Sequence, residues 1–487
     1  MWKRCCNVMG LLNDVNDKIA ENRAEMLASL SALISVPSVA VGPDGDKPFG
    51  ENVHRALEYM LRLAEQEGFE TYNADNYGGH IDLKGTEDGV VAIVGHLDVV
   101  PEGDGWDFDP YGGSIEDGYV CGRGAVDDKG PVIASFYGMK ALKDCGYQPK
   151  RTIRLILGLD EETNWEGMDY YLSHVEQVPE LGFTPDADFP AIYGEKGIIV
   201  FDIVRKFDAF GGKGLELSSM KGGNAANSVA DFARAVLHDS SGAGYDKIKE
   251  QVSDFRTEKG CEINCRGMGK SLEIIARGVS AHGATPEQGK NAVSIIMELL
   301  GRINFANEST NDFIAFYNDH IGYDLHGERI GCPLEDEQSG KLVFNVGMIE
   351  ADKKTARLTV NVRYPVTASD EQVYEDMMTV LGDYELGIVK GKTQEPIYIP
   401  KDDPLVETLM DIYRRNTGDD ESQPLVIGGG TYARAVKNTV AFGARFPGEP
   451  ELAHQRNEKI PVENMTKLAQ IYAEAAYRLS ELEDDDK

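Results

Sequence analysis

Two short apolar runs, each ending in residues that hold metals or move protons, limit most severely what this chain can fold into. Val90-Val91-Ala92-Ile93-Val94 leads into Gly95-His96-Leu97-Asp98. Ile153-Arg154-Leu155-Ile156-Leu157-Gly158-Leu159 leads into Asp160-Glu161-Glu162-Thr163. Runs of this length read as buried strands. In α/β sheets the carboxyl ends of strands are where ligands gather. An imidazole and several carboxylates placed there can bind a divalent metal, and a carboxylate left over can act as a base. The pattern points to a metal-dependent hydrolase.

The surrounding periodicity supplies the rest of the architecture. Residues 53–68 read as an amphipathic helix and residues 129–145 as a second, so strands alternate with helices as in an α/β domain with a largely parallel sheet. Beyond Gly194-Glu195-Lys196-Gly197 the pattern changes. Strands are predicted over 198–204, 271–276, 342–348 and 356–362, with helices over 291–303 and 370–381, which suggests an α+β domain. Helices over 404–416 and 462–482 close the chain. The expected fold class is α/β: a catalytic domain formed by 1–196 and 395–487, with a mainly parallel sheet and flanking helices, and an inserted α+β lid over 197–394. A length of 487 residues exceeds one ordinary core and agrees with more than one domain.

Composition removes several classes of partner. The formal charge of -33 argues against nucleic acid and against an anionic membrane surface. Part of that charge is the run Glu481-Leu482-Glu483-Asp484-Asp485-Asp486, read as a solvated tail. The 7 cysteines form no disulfide framework, and Cys261 and Cys265 lack the second pair that a zinc module needs, so a reducing cytoplasm is expected. Met1-Trp2-Lys3-Arg4 begins a stretch too broken for a signal peptide, and no run approaches the length of a membrane span.

Each motif has a plain reading beside its chemical one. His96 could bind a metal while Asp98 accepts a hydrogen bond from the other ring nitrogen. Asp127-Asp128 opens a helix and could simply cap it, yet one Asp suffices for that and the other can face the strand ends. Of Glu161-Glu162, one can ligate while the other takes a proton from water. His282, in Ser280-Ala281-His282-Gly283, is a loop histidine on pattern alone. Arg363 is a surface charge or a carboxylate clamp. Gly428-Gly429-Gly430-Thr431 is a tight turn or a row of N–H groups for an anionic ligand end.

Taken together these motifs resemble the dinuclear-zinc peptidase family that contains the bacterial dipeptidase PepV, carnosinase, aminoacylase and succinyl-diaminopimelate desuccinylase. The resemblance rests on His96-Leu97-Asp98-Val99-Val100-Pro101, Gly122 to Gly130, Asp160-Glu161-Glu162-Thr163, Pro185-Asp186-Ala187, Ser280-Ala281-His282 and His454. Phe189-Pro190, Gly194-Glu195-Lys196-Gly197, Asn361-Val362-Arg363-Tyr364-Pro365 and Gly428-Gly429-Gly430-Thr431-Tyr432 look like the PepV branch. The resemblance implies that Asp127 bridges two metals, that His96 and Asp186 complete one site, and that Glu162 and His454 complete the other. Glu161 would be the general base, Asp98 would orient His96, and the peptide bond after Asp127 would be cis. His282 would stabilise the oxyanion, Asn227 and Arg363 would contact substrate, and Gly429, Gly430 and Thr431 would hold its carboxylate. Asn224 is an alternative to Asn227, and Asp188 an alternative to Asp186.

What the resemblance implies is a cytosolic, monomeric dipeptidase with two divalent ions, zinc first and manganese or cobalt as alternatives. Its substrate would be a dipeptide held in a closed cleft. The rivals are an N-acyl-amino-acid amidohydrolase and a metal-binding protein without catalysis.

Overall fold

Both apolar runs form strands, and an ion pair explains the one charged residue within them. In this computed structural model, which describes residues 2–241 and 243–482 and only the main chain of 2–9, the second run is the strand Thr152–Gly158. Arg154 lies opposite Asp82 of the antiparallel strand Gly79–Leu83. Its Nε and Nη2 donate to the two oxygens of Asp82 at 2.8 and 2.9 Å, so the buried guanidinium is neutralised across the sheet. The acidic run 483–486 and the side chains of Cys5 and Cys6 lie outside the described residues.

The chain divides into two units, 1–194 with 399–425 and 430–487, and 195–398 with 426–429. In the first, the strand order runs Glu70–Asn73, Gly79–Leu83, Thr152–Gly158, Val90–His96, Leu181–Thr184, Thr439–Phe442, Ala191–Glu195. The sheet is mixed. Its central pairings, from Thr152–Gly158 to Thr439–Phe442, are parallel. Its flanks are antiparallel: a short turn joins Glu70–Asn73 to Gly79–Leu83, while the other two antiparallel pairs bring together strands distant in sequence. The crossover between Val90–His96 and Thr152–Gly158 carries the helix Lys129–Asp144, which is buried along nearly its whole length. The helices Trp2–Glu21, Arg23–Ile34 and Val462–Ser480 cover it. Gly138 permits the last contact, since a Cβ there would lie 2.9 Å from the Ala469 carbonyl oxygen.

The second unit is built on one antiparallel sheet ordered Glu262–Met268, Ser271–Arg277, Phe232–Asp239, Leu215–Gly222, Val343–Asp352, Thr355–Tyr364, Gly197–Lys206, Gly387–Gln394. Along Gly197–Lys206 buried and half-buried residues alternate, the mark of a sheet with one face covered. The helix Ala292–Leu300 packs on the strands Phe232–Asp239 and Ser271–Arg277. Among the described residues, no helix is long and apolar enough to cross a membrane.

His80, in the fully buried strand Gly79–Leu83, makes stability depend on pH. Its ring stacks on Tyr72 and its Nδ1 lies 2.8 Å from the Tyr171 hydroxyl. Burial pushes the imidazole down to about 4, against the upward pull of Asp82. With the folded value below the ordinary 6.5, the unfolded chain binds more protons between the two. The stabilisation is therefore complete above pH 6.5 and is lost as pH falls towards 4. Relative to His80→Gln, the unmodified chain should lose about 3 kcal/mol across that window. Urea midpoints at its two ends measure this; equal pH slopes for the two proteins would show that His80 is charged in the fold.

Candidate metal centre and active site

The register of the parallel strands assembles the site. His96 lies opposite Gly158, and Val91 to Ile93 pair with Leu181 to Phe183. The strands end on one side, which puts His96 at the end of the first and Glu161 and Glu162 just beyond the second. Asp186 lies two residues beyond the third, Leu181–Thr184. Gly158 has a steric reason: a Cβ would meet the Tyr432 ring at 2.2 Å. Tyr432 is buried there, donates to Asp160 Oδ1 at 3.2 Å and sets its ring edge-on to His96.

Asp127 stands at the middle. Its Oδ1 is 3.0 Å from His96 Nε2 and its Oδ2 is 3.0 Å from His454 Nε2. His454 is also 3.0 Å from Glu162 Oε1, and His96 is 3.6 Å from Asp186 Oδ2. Two groups of donors can each surround one ion: His96, Glu161 and Asp186, and Asp127, Glu162 and His454. The Asp127–Asp128 peptide bond is cis.

Asp128 corrects the capping reading. It occupies the N-cap of the helix Lys129–Asp144, yet its side chain makes no cap bond. Instead Oδ2 accepts the His96 main-chain N–H at 3.1 Å, while Oδ1 is buried without a hydrogen-bond partner. Gly95 makes room for it, since a Cβ would lie 2.7 Å from Asp128 Oδ2.

Asp98 does more than was expected of it. His96 Nδ1 pairs most closely with the Asp98 main-chain carbonyl, at 3.0 Å, and stands 3.4 Å from the carboxylate. The Asp98 carboxylate oxygens accept the N–H groups of Glu161 and Glu162, at 3.2 and 3.1 Å. Asp98 thus holds the ring through its carbonyl and, at longer range, its carboxylate, which also pins the acidic turn. Asp188, the alternative to Asp186, is held bidentately by Arg445 at 2.6 and 2.7 Å, away from both donor groups.

The electrostatics show a cluster short of positive charge. Burial raises the proton affinity of Glu161, and Asp186 adds to it. Burial followed by Asp127 does the same for Glu162 and Asp186, and burial followed by Asp186 for Asp128. Burial works to lower His96, but hydrogen bonds to Asp127, Asp186 and Asp98 outweigh it and hold the imidazole well above its usual range. Hydrogen bonds to Asp127 and Glu162 raise His454 to about 11. Burial would raise Asp127, yet the His454 and His96 hydrogen bonds pull it down. Imidazoles driven to protonate among carboxylates are what a divalent-cation site looks like to protons, and nitrogen with oxygen donors suits zinc, manganese or cobalt. The residues fit such ions.

The remaining predicted residues belong mostly to the second unit. His282 is exposed, pairs with Ser228 in an isolated bridge, and its Nδ1 accepts the Ala284 N–H at 3.3 Å. The main-chain carbonyl of Asn227 accepts the Gly283 N–H at 2.7 Å, a tie to the His282 segment. Asn345, which sequence reasoning missed, donates to the carbonyls of Ala226 and Ser228 on either side of Asn227, each at 3.0 Å. Arg363 is 5% exposed, and its Nε donates to Asn361 while Nη1 donates to the Gly428 carbonyl at 2.8 Å. The boundary between units falls between Gly429 and Gly430. Thr431 uses its hydroxyl to accept the Ala433 N–H at 3.2 Å, capping the turn Tyr432–Arg434. Cys261 and Cys265 are free thiols and belong to neither donor group.

Comparison with known proteins gives a consistent likeness. The profile of peptidase family M20/M25/M40 matches residues 92–478. A Staphylococcus epidermidis protein named "Putative dipeptidase" is 35% identical over 475 residues, covering 95% of this chain and 98% of its own. "Putative dipeptidase YtjP" of Bacillus subtilis is 35% identical over 470 residues, covering 95% and 99%. Among solved structures, the di-peptidase Dug1p from Saccharomyces cerevisiae has a TM-score of 0.58 at 14% identity, covering 97% of this chain and 99% of its own. Human carnosine dipeptidase 1 has a TM-score of 0.53 at 17% identity, covering 97% and 100%. At these identities the structures share the fold.

Asp98→Asn tests the acidic turn. The amide can accept at one oxygen only and turns an N–H group towards the other donor. Retention of divalent metal should weaken by about 10–100-fold, read by competition with a chelator. Unchanged retention would mean that the Glu161-Glu162 turn holds its shape without Asp98.

Proposed function

The chain belongs to peptidase family M20/M25/M40, and on that premise we propose that it is a metal-dependent dipeptidase whose chemistry resides in the first unit. The observation that carries the reading is Asp127, with one carboxylate oxygen towards each of two imidazoles and further acids around both. His96 and Asp186 would hold one divalent ion, Glu162 and His454 the other, and Asp127 both, with zinc the best match to the donors. Such ions, when bound, polarise a carbonyl and make water more acidic. Glu161 takes the proton from the attacking water and passes it to the leaving amine. Its raised proton affinity, from burial and from Asp186, supports that role.

The second unit supplies recognition. His282 donates to the developing oxyanion, and Asn227 contacts the substrate. Arg363, with the Gly429-Gly430-Thr431 loop, receives the substrate carboxylate. The bond from Arg363 to Gly428 supports this, because it ties the cation to the glycine run. Dipeptides are proposed over N-acyl amino acids because the 35% identical relatives carry dipeptidase names. The cytoplasm is proposed because the cysteines described are free thiols.

Glu161→Gln should lower turnover by at least about 10²-fold while metal analysis finds the ions retained. Loss of a metal in Glu161→Gln, with full occupancy in Glu162→Gln, would exchange the two roles. His282→Ala should slow turnover by about 10²–10³-fold at unchanged metal content, and a loss under tenfold would reduce it to a loop residue. Free dipeptides should be cut at least about tenfold more efficiently than their amides, because charge-assisted contacts to a carboxylate are lost. A dipeptide library offered to metal-stripped protein, with each metal restored in turn, tests the whole reading; absence of turnover with every metal would end it.

A further inference from the structure

The motif Gly122-Arg123-Gly124 does more than turn the chain. Glu458, fully buried, aims its carboxylate into this loop from 331 residues away. Its Oε1 accepts the main-chain N–H groups of Gly124, Val126 and Asp127, at 3.1, 2.8 and 3.2 Å. Its Oε2 accepts Arg123 Nη1 at 2.6 Å, and its main-chain carbonyl accepts the Gly122 N–H at 3.0 Å. Arg123, 2% exposed, also donates to the Gln455 carbonyl at 3.1 Å and lies over the Trp106 ring. The contacts with Glu458 and Gln455 join the loop that ends at Asp127 to the segment that begins at His454.

A carboxylate inside a ring of N–H groups, with a guanidinium on its other oxygen, is a rigid arrangement. Its bonds are charge-assisted, and no donor in it can turn to water. Asp127 and His454 belong to one donor group, and their side chains come within 3.0 Å of each other. Their separation is set by whatever fixes the two backbones: the short ladder of Tyr119–Cys121 with Lys459–Pro461 pairs the flanking chain, and between that ladder and the two ligands lie Glu458 and Arg123. We propose that the buried Glu458–Arg123 pair is the positioning element of the metal centre, holding Asp127 and His454 at the spacing a divalent ion requires. Neither residue touches an ion or substrate; both act through the backbones that carry the ligands. The inference rests on the metal reading above.

Zinc chloride titrated calorimetrically into the metal-stripped full chain tests it, with folding of each metal-free variant checked by circular dichroism. Glu458→Gln presents an amide N–H₂ either to the N–H ring or to Arg123, both donors, and should weaken zinc binding by about 10–100-fold. Arg123→Lys keeps the charge but is shorter than the side chain whose Nη1 reaches both Glu458 and Gln455, and it loses the plane over Trp106, so it should also weaken zinc binding. A role confined to general stability would lower the unfolding temperature of the metal-free chain and leave the affinity of the folded protein unmoved. Should Glu458→Gln fail to fold, Arg123→Lys decides alone: weakened binding supports the proposal and unmodified affinity overturns it. Asp127→Asn separates the two readings. If it binds as tightly as the unmodified chain, the metal reading itself falls. If it binds weakly while folded Glu458→Gln and Arg123→Lys bind normally, only the positioning proposal falls.

Discussion

Repulsion between like charges is the constraint on which the first unit depends. Asp127, Asp128, Glu161, Glu162 and Asp186 crowd two imidazoles at the mouth of a sheet. Two carboxylates about 4 Å apart repel by about 4 kcal/mol at the effective dielectric of a protein surface, and more when buried. Local preference does not place them so. The parallel register sets the strand ends side by side, and buried acceptors then pin the turns that follow. Asp98 gathers the N–H groups of Glu161 and Glu162; Glu458 gathers those around Asp127; Asp160 accepts the Gly167 N–H at 3.2 and 3.1 Å and the Tyr432 hydroxyl. Negative groups are thus held near one another by other negative groups, each satisfied by backbone donors.

The long elements were legible because their periodicity is strong. The helix predicted over 129–145 runs from Lys129 to Asp144, and the strands predicted over 342–348 and 356–362 form the hairpin of Val343–Asp352 and Thr355–Tyr364. The helix Arg23–Ile34 went unread because Met26, Leu27, Ser29, Leu30, Leu33 and Ile34 are all buried, which blurs the apolar stripe. The acids and histidines of the site were visible as residue types at strand ends. Their supports were not. Nothing near Glu458 in sequence indicates that it serves a loop more than three hundred residues earlier. Nor does the Asp98 side chain reveal in advance that it serves two amides as well as an imidazole. A hydrogen bond to a distant backbone leaves no local pattern, whereas a buried face repeats every two residues or every turn.

The place of Thr439–Phe442 in its sheet has a consequence in time. It pairs with Leu181–Thr184 on one side and Ala191–Glu195 on the other. All eight strands of the second unit's antiparallel sheet, by contrast, fall within the unbroken stretch 197–394. As the polypeptide leaves the ribosome, the second unit has its full set of strands while the first still has a vacancy inside its sheet. Domains generally fold as they emerge, and closing so long a loop slows the pairing that fills the gap. The later-encoded unit is therefore able to finish first. The earlier one waits, with apolar edges uncovered, for a strand made only after the second unit, and His454 follows that strand. A sheet interrupted by a whole second unit is thus completed only by chain made after that unit.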